Sequence, residues 1–110
     1  MAMTDIYAET EPARTEIDAM KGPLLLEFGA PWCPHCQAVQ PLLSDSFARH
    51  PGVQHIKIED GKGKPLGRSF QIRLWPALVF LKDGQEIARL LRPTEREAIE
   101  RAFLQIDPAA

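Results

Sequence analysis

Phe28-Gly29-Ala30-Pro31-Trp32-Cys33-Pro34-His35-Cys36 is the stretch on which the reading of this chain turns. It continues the apolar run Leu24-Leu25-Leu26-Glu27-Phe28 and ends on the chain's two cysteines, three positions apart. That spacing lets one disulfide open and close with little backbone change, which suits thiol redox chemistry. A bridge across so short a loop would stabilise a fold by only about 2 kcal/mol in the chain-entropy model, against about 4.7 kcal/mol for a 100-residue loop. As a structural staple it is poorly placed.

Outward from this stretch, Leu24 to Phe28 is a short, nearly continuous apolar run of the kind buried on both faces of a sheet, with Glu27 its one exception. Before it, Glu11 to Lys21 suits a first helix closed by Gly22-Pro23. After it, Ala38, Val39, Leu42, Leu43 and Phe47 recur at helical spacing as far as Arg49, and Pro41 predicts a kink. Val53 to Glu59 is strand-like, so strand, helix and strand form one parallel crossover unit. Gly61, Gly63, Pro65 and Gly67 mark a loop holding at most a short helix from Leu66 to Phe70. Ala77 to Leu81 and Glu86 to Leu91 are two strands around Asp83-Gly84, a strong hairpin signal because a type I′ turn needs positive φ at both central positions. Thr94 and Glu97 have capping-box spacing, and Ile99, Phe103 and Ile106 share one face of a last helix closed by Asp107-Pro108. The expected class is α/β, a mixed central sheet flanked by helices on both faces.

Composition narrows the function. With 110 residues, 45% hydrophobic and 25% charged, residues 1–110 suit a single domain that buries its own core, with residues 1–10 a flexible or short-strand N-terminus. A net charge of −2 carries no electrostatic footprint for nucleic acid or an anionic membrane. The longest apolar stretch, Ala77 to Leu81, is far below the roughly 18 residues of a membrane span. Asp5, Glu9, Glu11, Glu16 and Asp18 sit where a secretory signal would need an apolar region, so a cytoplasmic location is expected, or a periplasmic one if a leader has been removed. In a reducing compartment a lone Cys-x-x-Cys favours a catalytic or metal role over a permanent disulfide.

Taken together, Phe28 to Cys36, Pro41, Ile72-Arg73-Leu74-Trp75-Pro76, the Lys82-Asp83-Gly84 turn and the final amphipathic helix resemble the thioredoxin family over nearly the whole chain. The resemblance implies the thioredoxin fold and a thiol-disulfide oxidoreductase acting on protein disulfides, with no cofactor beyond the Cys33-Cys36 disulfide. Partners would be protein disulfide or dithiol substrates, with a thioredoxin reductase or glutathione for recycling, and the working unit a monomer.

Cys33 falls at a helix start, where unpaired N–H groups and the helix dipole favour a thiolate, so it is the expected nucleophile. Cys36, one turn in and more buried, is the expected resolving thiol. Pro34 suits a first helical turn, and a protonated His35 adds positive charge beside the sulfur. Pro34-His35 is the dipeptide of the bacterial oxidant DsbA, whereas reductive thioredoxins usually carry Gly-Pro. Those two types differ by about 150 mV, or about 7 kcal/mol for a two-electron couple. A potential more oxidising than an ordinary thioredoxin follows, with a cytosolic setting favouring reduction and a DsbA-like oxidase or isomerase the alternative.

The remaining site residues come from the resemblance. Glu27 matches a buried family acid that exchanges a proton with Cys36; alternatively its head reaches water at the edge of the core. A lysine that assists this acid in thioredoxins is matched here by His55, which is otherwise a surface residue. Trp75-Pro76 matches a cis-proline loop that presents the Trp75 backbone to an extended substrate. Trp75 either narrows the substrate range or only packs over Cys36. Trp32 is expected at the groove, or as a shield over the disulfide. Gly29 and Arg92 depart from a family aromatic and a family glycine, opening a pocket beside the site and adding bulk and charge to its rim. Two rival classes remain: zinc held by Cys33 and Cys36 with His35, His50 or His55, and a redox-silent binding module on the same scaffold.

Overall fold

A computed structural model describes residues 3–108. Its sheet is built on β1 (Pro23–Gly29), which pairs in parallel with β2 (Gln54–Glu59) and antiparallel with β3 (Ala77–Lys82); β3 pairs antiparallel with β4 (Gln85–Leu91), giving the order β2-β1-β3-β4. The sheet is therefore mixed, as the parallel crossover unit and the Asp83-Gly84 hairpin predict.

Strand alternation divides the core into two. Leu24, Leu26 and Phe28 face one side with Val79, Leu81, Ile17, Leu66 and Phe70, under α1 (Arg14–Asp18) and α4 (Pro65–Ser69). Leu25, Leu78 and Phe80 face the other with Leu43, Phe47, Ile99 and Phe103, under α3 (Gln40–Arg49) and α5 (Arg96–Ile106). Glu27 shares the parity of Leu25, so its side chain enters the layer beneath α3 rather than solvent.

Several boundaries differ from the sequence reading. The first helix is a single short turn and a half, because Ile17 is the only residue of it that finds the core. The helix after the cysteines is two helices, α2 (Pro34–Ala38) and α3, separated at Val39; Pro41 lacks the N–H that would continue the ladder. Thr94 and Glu97 do not form a capping box: Glu95 is the N-cap of α5 and makes no side-chain cap hydrogen bond. The hairpin turn has positive φ at both Asp83 and Gly84. A Cβ at Gly84 would run into the Asp18 carbonyl oxygen, and the Asp83 carboxylate accepts the Gly22 N–H at 2.8 Å, so this turn locks β1, α1 and β3 together.

The expectation for residues 1–10 falls partly on Met1 and Ala2, which lie outside the described residues. Within them, Tyr7 makes an isolated parallel bridge to Lys57, and the Ala8 N–H donates to the Lys57 carbonyl at 2.8 Å. This segment lies along the outer edge of β2 and reaches the end of β1 that carries the cysteines.

Candidate active site

Cys33 is the N-cap of α2 and Pro34 its first residue. The Cys36 N–H donates to Cys33 Sγ at 3.2 Å, so one orphan donor of the helix N-terminus points at the sulfur. Both thiols are free and buried, Cys33 at 5% and Cys36 at 2% exposure, while Pro34 and His35 are exposed beside them. Burial pushes the Cys36 thiol up to about 12, and its hydrogen bond with Cys33 and the nearby Glu27 charge act in the same direction. Cys36 is therefore a protonated thiol at neutral pH.

Beneath the thiols, Glu27 is 1% exposed, which removes the alternative of a head group in water. Its Oε1 accepts from His55 Nε2 at 2.8 Å and its Oε2 accepts from Gln40 Nε2 at 2.8 Å. His55 Nδ1 accepts the Thr4 N–H at 3.0 Å, so the ring hydrogen is on Nε2. His55 is thus buried against the acid rather than at the surface. Gln40 also donates to the Cys36 carbonyl at 2.9 Å and accepts from Lys57 Nζ at 3.3 Å. Lys57, itself buried, places its ammonium 4.7 Å from the centre of the Tyr7 ring. A cleft of about 670 Å³, lined by Tyr7, Cys36, Gln40 and Lys57 among others, opens the outer members of this cluster to solvent, while Glu27 and His55 stay beneath it.

Tyr7, Gln40 and Lys57 are additions to the residues singled out in the sequence. Gln40 had a signal, its position one helical turn after Cys36. Lys57 and Tyr7 become legible only with the strand register, which sets Lys57 opposite Glu27 and Tyr7 beside Lys57. Burial, and after it the nearby charge of Glu27, push the Tyr7 hydroxyl well above its ordinary range.

Gly29 does not open a pocket. A Cβ there would lie 2.6 Å from Cys36 Sγ and 3.6 Å from the Tyr7 hydroxyl, so the space is filled by those two groups, and the open cleft lies to the side.

Above the thiols, Trp75 packs against Cys33, Cys36 and Ala30, and its indole N–H donates to Asp60 Oδ2 at 2.9 Å. The Trp75–Pro76 peptide bond is cis. Trp32, 68% exposed, meets the Trp75 ring edge-on at 5.6 Å between centres. Arg92 has φ +50°, and its Nε donates to the Trp75 carbonyl at 2.7 Å.

The histidines do not converge on the thiols. His50 lies at the end of α3, bonded to Glu100 and Asp107, and His55 is committed to Glu27. Among the described residues no group of three or more His, Cys, Asp or Glu side chains is placed to hold a metal ion.

Comparison with known proteins agrees with this geometry. The family model "Thioredoxin" matches residues 6–105. A solved structure of thioredoxin 2 from Pseudomonas aeruginosa PAO1 in its reduced form is 50% identical, covers 98% of this chain and 100% of that one, and superposes with a TM-score of 0.86. Mitochondrial thioredoxin 3 from Saccharomyces cerevisiae is 26% identical over 82% of this chain and 83% of that one, with a TM-score of 0.70. A curated thioredoxin from Mycobacterium tuberculosis is 27% identical over 95 residues, 86% of this chain and 82% of its own length. With two free thiols at a helix N-terminus, an acid beneath them and a family match over residues 6–105, the chain belongs to the thioredoxin family and is a thiol-disulfide oxidoreductase.

Proposed function

We propose that this protein reduces protein disulfides in the cytoplasm as a monomeric single domain, at a potential more oxidising than that of an ordinary thioredoxin. The observation that carries the reading is the 3.2 Å bond from the Cys36 N–H to Cys33 Sγ at the N-cap of α2, which aims a backbone donor of the helix N-terminus at the attacking sulfur. The Cys33 thiolate attacks one sulfur of a client disulfide; a Cys33–client bond forms and the client's other sulfur leaves as a thiolate. Cys36 then loses its proton and attacks Cys33 Sγ, forming the Cys33–Cys36 disulfide and releasing the second client thiolate. The client gains two electrons and, from solvent, two protons.

Because burial holds Cys36 protonated, its attack needs a base. Glu27 serves: it lies beneath Cys36, tied to it by Gln40, which donates to both the Glu27 carboxylate and the Cys36 carbonyl, and Gln40 and His55 hold the carboxylate in place. Trp32, Trp75 and Pro76 form the surface on which an extended client segment lies. A thioredoxin reductase or glutathione returns the disulfide to the dithiol.

Pro34-His35 supports the oxidising shift and also the second reading, a DsbA-like oxidase or isomerase. Equilibration with glutathione, combined with turnover by a thioredoxin reductase, separates them. The reductive reading expects a potential between about −270 and −120 mV together with reductase turnover. A value near DsbA's with no turnover would establish the oxidase instead.

A further inference from the structure

We propose that Arg92 selects clients carrying an Asp or Glu beside the disulfide, by holding that carboxylate at the edge of the groove. This rests on the oxidoreductase reading above and names the client chemistry that the same site prefers.

Arg92 follows β4, and its N–H donates to the Pro76 carbonyl at 2.8 Å, so its backbone is tied to the segment that precedes β3. Its φ of +50° lies in the left-handed region, where glycine is at ease and a branched or long side chain is uncommon. The long side chain that stands there bends onto Trp75: Nε donates to the Trp75 carbonyl at 2.7 Å. Trp75 in turn covers Cys33 and Cys36, so the guanidinium is fixed to the residue lying over the dithiol.

A guanidinium has five N–H donors, and this contact uses one. Among the described residues the Nη groups of Arg92, like those of Arg68, Arg73 and Arg101, make no ion pair, whereas Arg14, Arg49, Arg89 and Arg96 are paired with carboxylates. Arg92 is exposed. With Nε pinned by a carbonyl, the two Nη groups present an end-on fork of the shape a carboxylate accepts with two parallel bonds. The Trp75 carbonyl keeps a second lone pair, and the Trp75 N–H donates to no group among the described residues, so a client backbone can still pair beside the guanidinium.

Arg73, two residues before Trp75, is exposed, and the nearby carboxylate, Asp60, is already engaged by the Trp75 indole. The Asp60 carboxylate keeps its charge but is held at the Trp75 indole, so the free Nη fork of Arg92 is the group a client glutamate meets at the rim, whereas a client lysine meets repulsion from it.

The test uses two disulfide peptides identical except that Glu flanks the attacked cysteine on both sides in one and Gln in the other. With wild type at low ionic strength, kcat/KM is expected to be about threefold higher for the Glu peptide, the scale of an exposed ion pair, and the preference should shrink in high salt. R92G, which suits the positive φ and so retains the fold, should abolish the preference, and R92E should reverse it. Equal values for both peptides in wild type, or a preference that survives in R92G, would overturn the proposal. Reduction of neither peptide by wild type would instead sink the oxidoreductase reading, and this inference with it.

Discussion

The Cys36 sulfur stands 2.6 Å from the point a Cβ on Gly29 would occupy, so the resolving thiol is seated in the space that a side chain at residue 29 would need. A methyl group there forces the sulfur or the strand to shift. Gly29→Ala is expected to cost about 1–3 kcal/mol of stability as an overpacked site. Misplacing a reacting atom also slows chemistry, so the rate of insulin reduction should fall at least about tenfold. A urea titration and a turbidity assay measure the two effects. An unchanged rate would show that Cys36 tolerates displacement.

Glu27 and Cys36 are joined through Gln40, which donates to both the Glu27 carboxylate and the Cys36 carbonyl. With burial holding Cys36 up at about 12, its thiolate is scarce at neutral pH and a base should matter most in the release step. Glu27→Gln is expected to slow breakdown of the mixed disulfide by about 100-fold, the low end of general-base effects, while formation of that intermediate changes little. The deficit should shrink as pH rises and hydroxide replaces the missing base. Stopped-flow kinetics from pH 6 to about 10 read this directly. A uniform loss at every pH would make Glu27 a structural residue only.

His50, fully buried, bonds Glu100 Oε2 at 2.7 Å through Nε2 and Asp107 Oδ2 at 2.9 Å through Nδ1, joining the ends of α3 and α5. Burial alone would lower the imidazole, but the two hydrogen-bonded carboxylates outweigh it and raise it above 6.5. Burial alone would raise Glu100, but its bonds with His50 and Ser46 bring it below 4.5. A raised histidine contributes stability that is complete below 6.5 and is lost as pH climbs through its folded value. A lowered glutamate contributes stability that is complete above 4.5 and is lost as pH falls through its folded value. The cluster should therefore stabilise most between those limits. His50→Gln is expected to cost about 2 kcal/mol in that window and less at pH 9. Urea midpoints of wild type and variant across pH provide the difference; a gap independent of pH would mean that packing on Phe103, not charge, holds these helices.

Much of this arrangement could be read in the chain. Leu24 to Phe28 declares a buried strand because its apolar character exceeds what one-sided burial needs, and Asp83-Gly84 declares its hairpin because few residue pairs accept two positive φ values. The length of α1 and the cap of α5 were not legible, since Ile17 alone anchors one and Glu95, not Thr94, is the N-cap of the other. In the site, Cys33, Cys36 and Glu27 stand out from their surroundings by residue type. Gln40 is marked only by its spacing from Cys36, and Tyr7 and Lys57 not at all: those two join the site because β2 runs parallel to β1 and the N-terminal segment bridges to β2, a register that no local pattern encodes. The same holds for the bond from Arg92 to the Trp75 carbonyl, which needs β3 and β4 already paired.

The division of labour between the two sulfurs is tested most directly by trapping. Cys36→Ser, mixed with a disulfide-bonded protein such as insulin, removes the resolving thiol and leaves the attacking one. Mass spectrometry should find a mixed disulfide between Cys33 and one client chain, stable for hours and released by a small dithiol, while Cys33→Ser forms none. Accumulation of the adduct on Cys36 in the Cys33→Ser protein, with none on Cys33 in its counterpart, would contradict the mechanism.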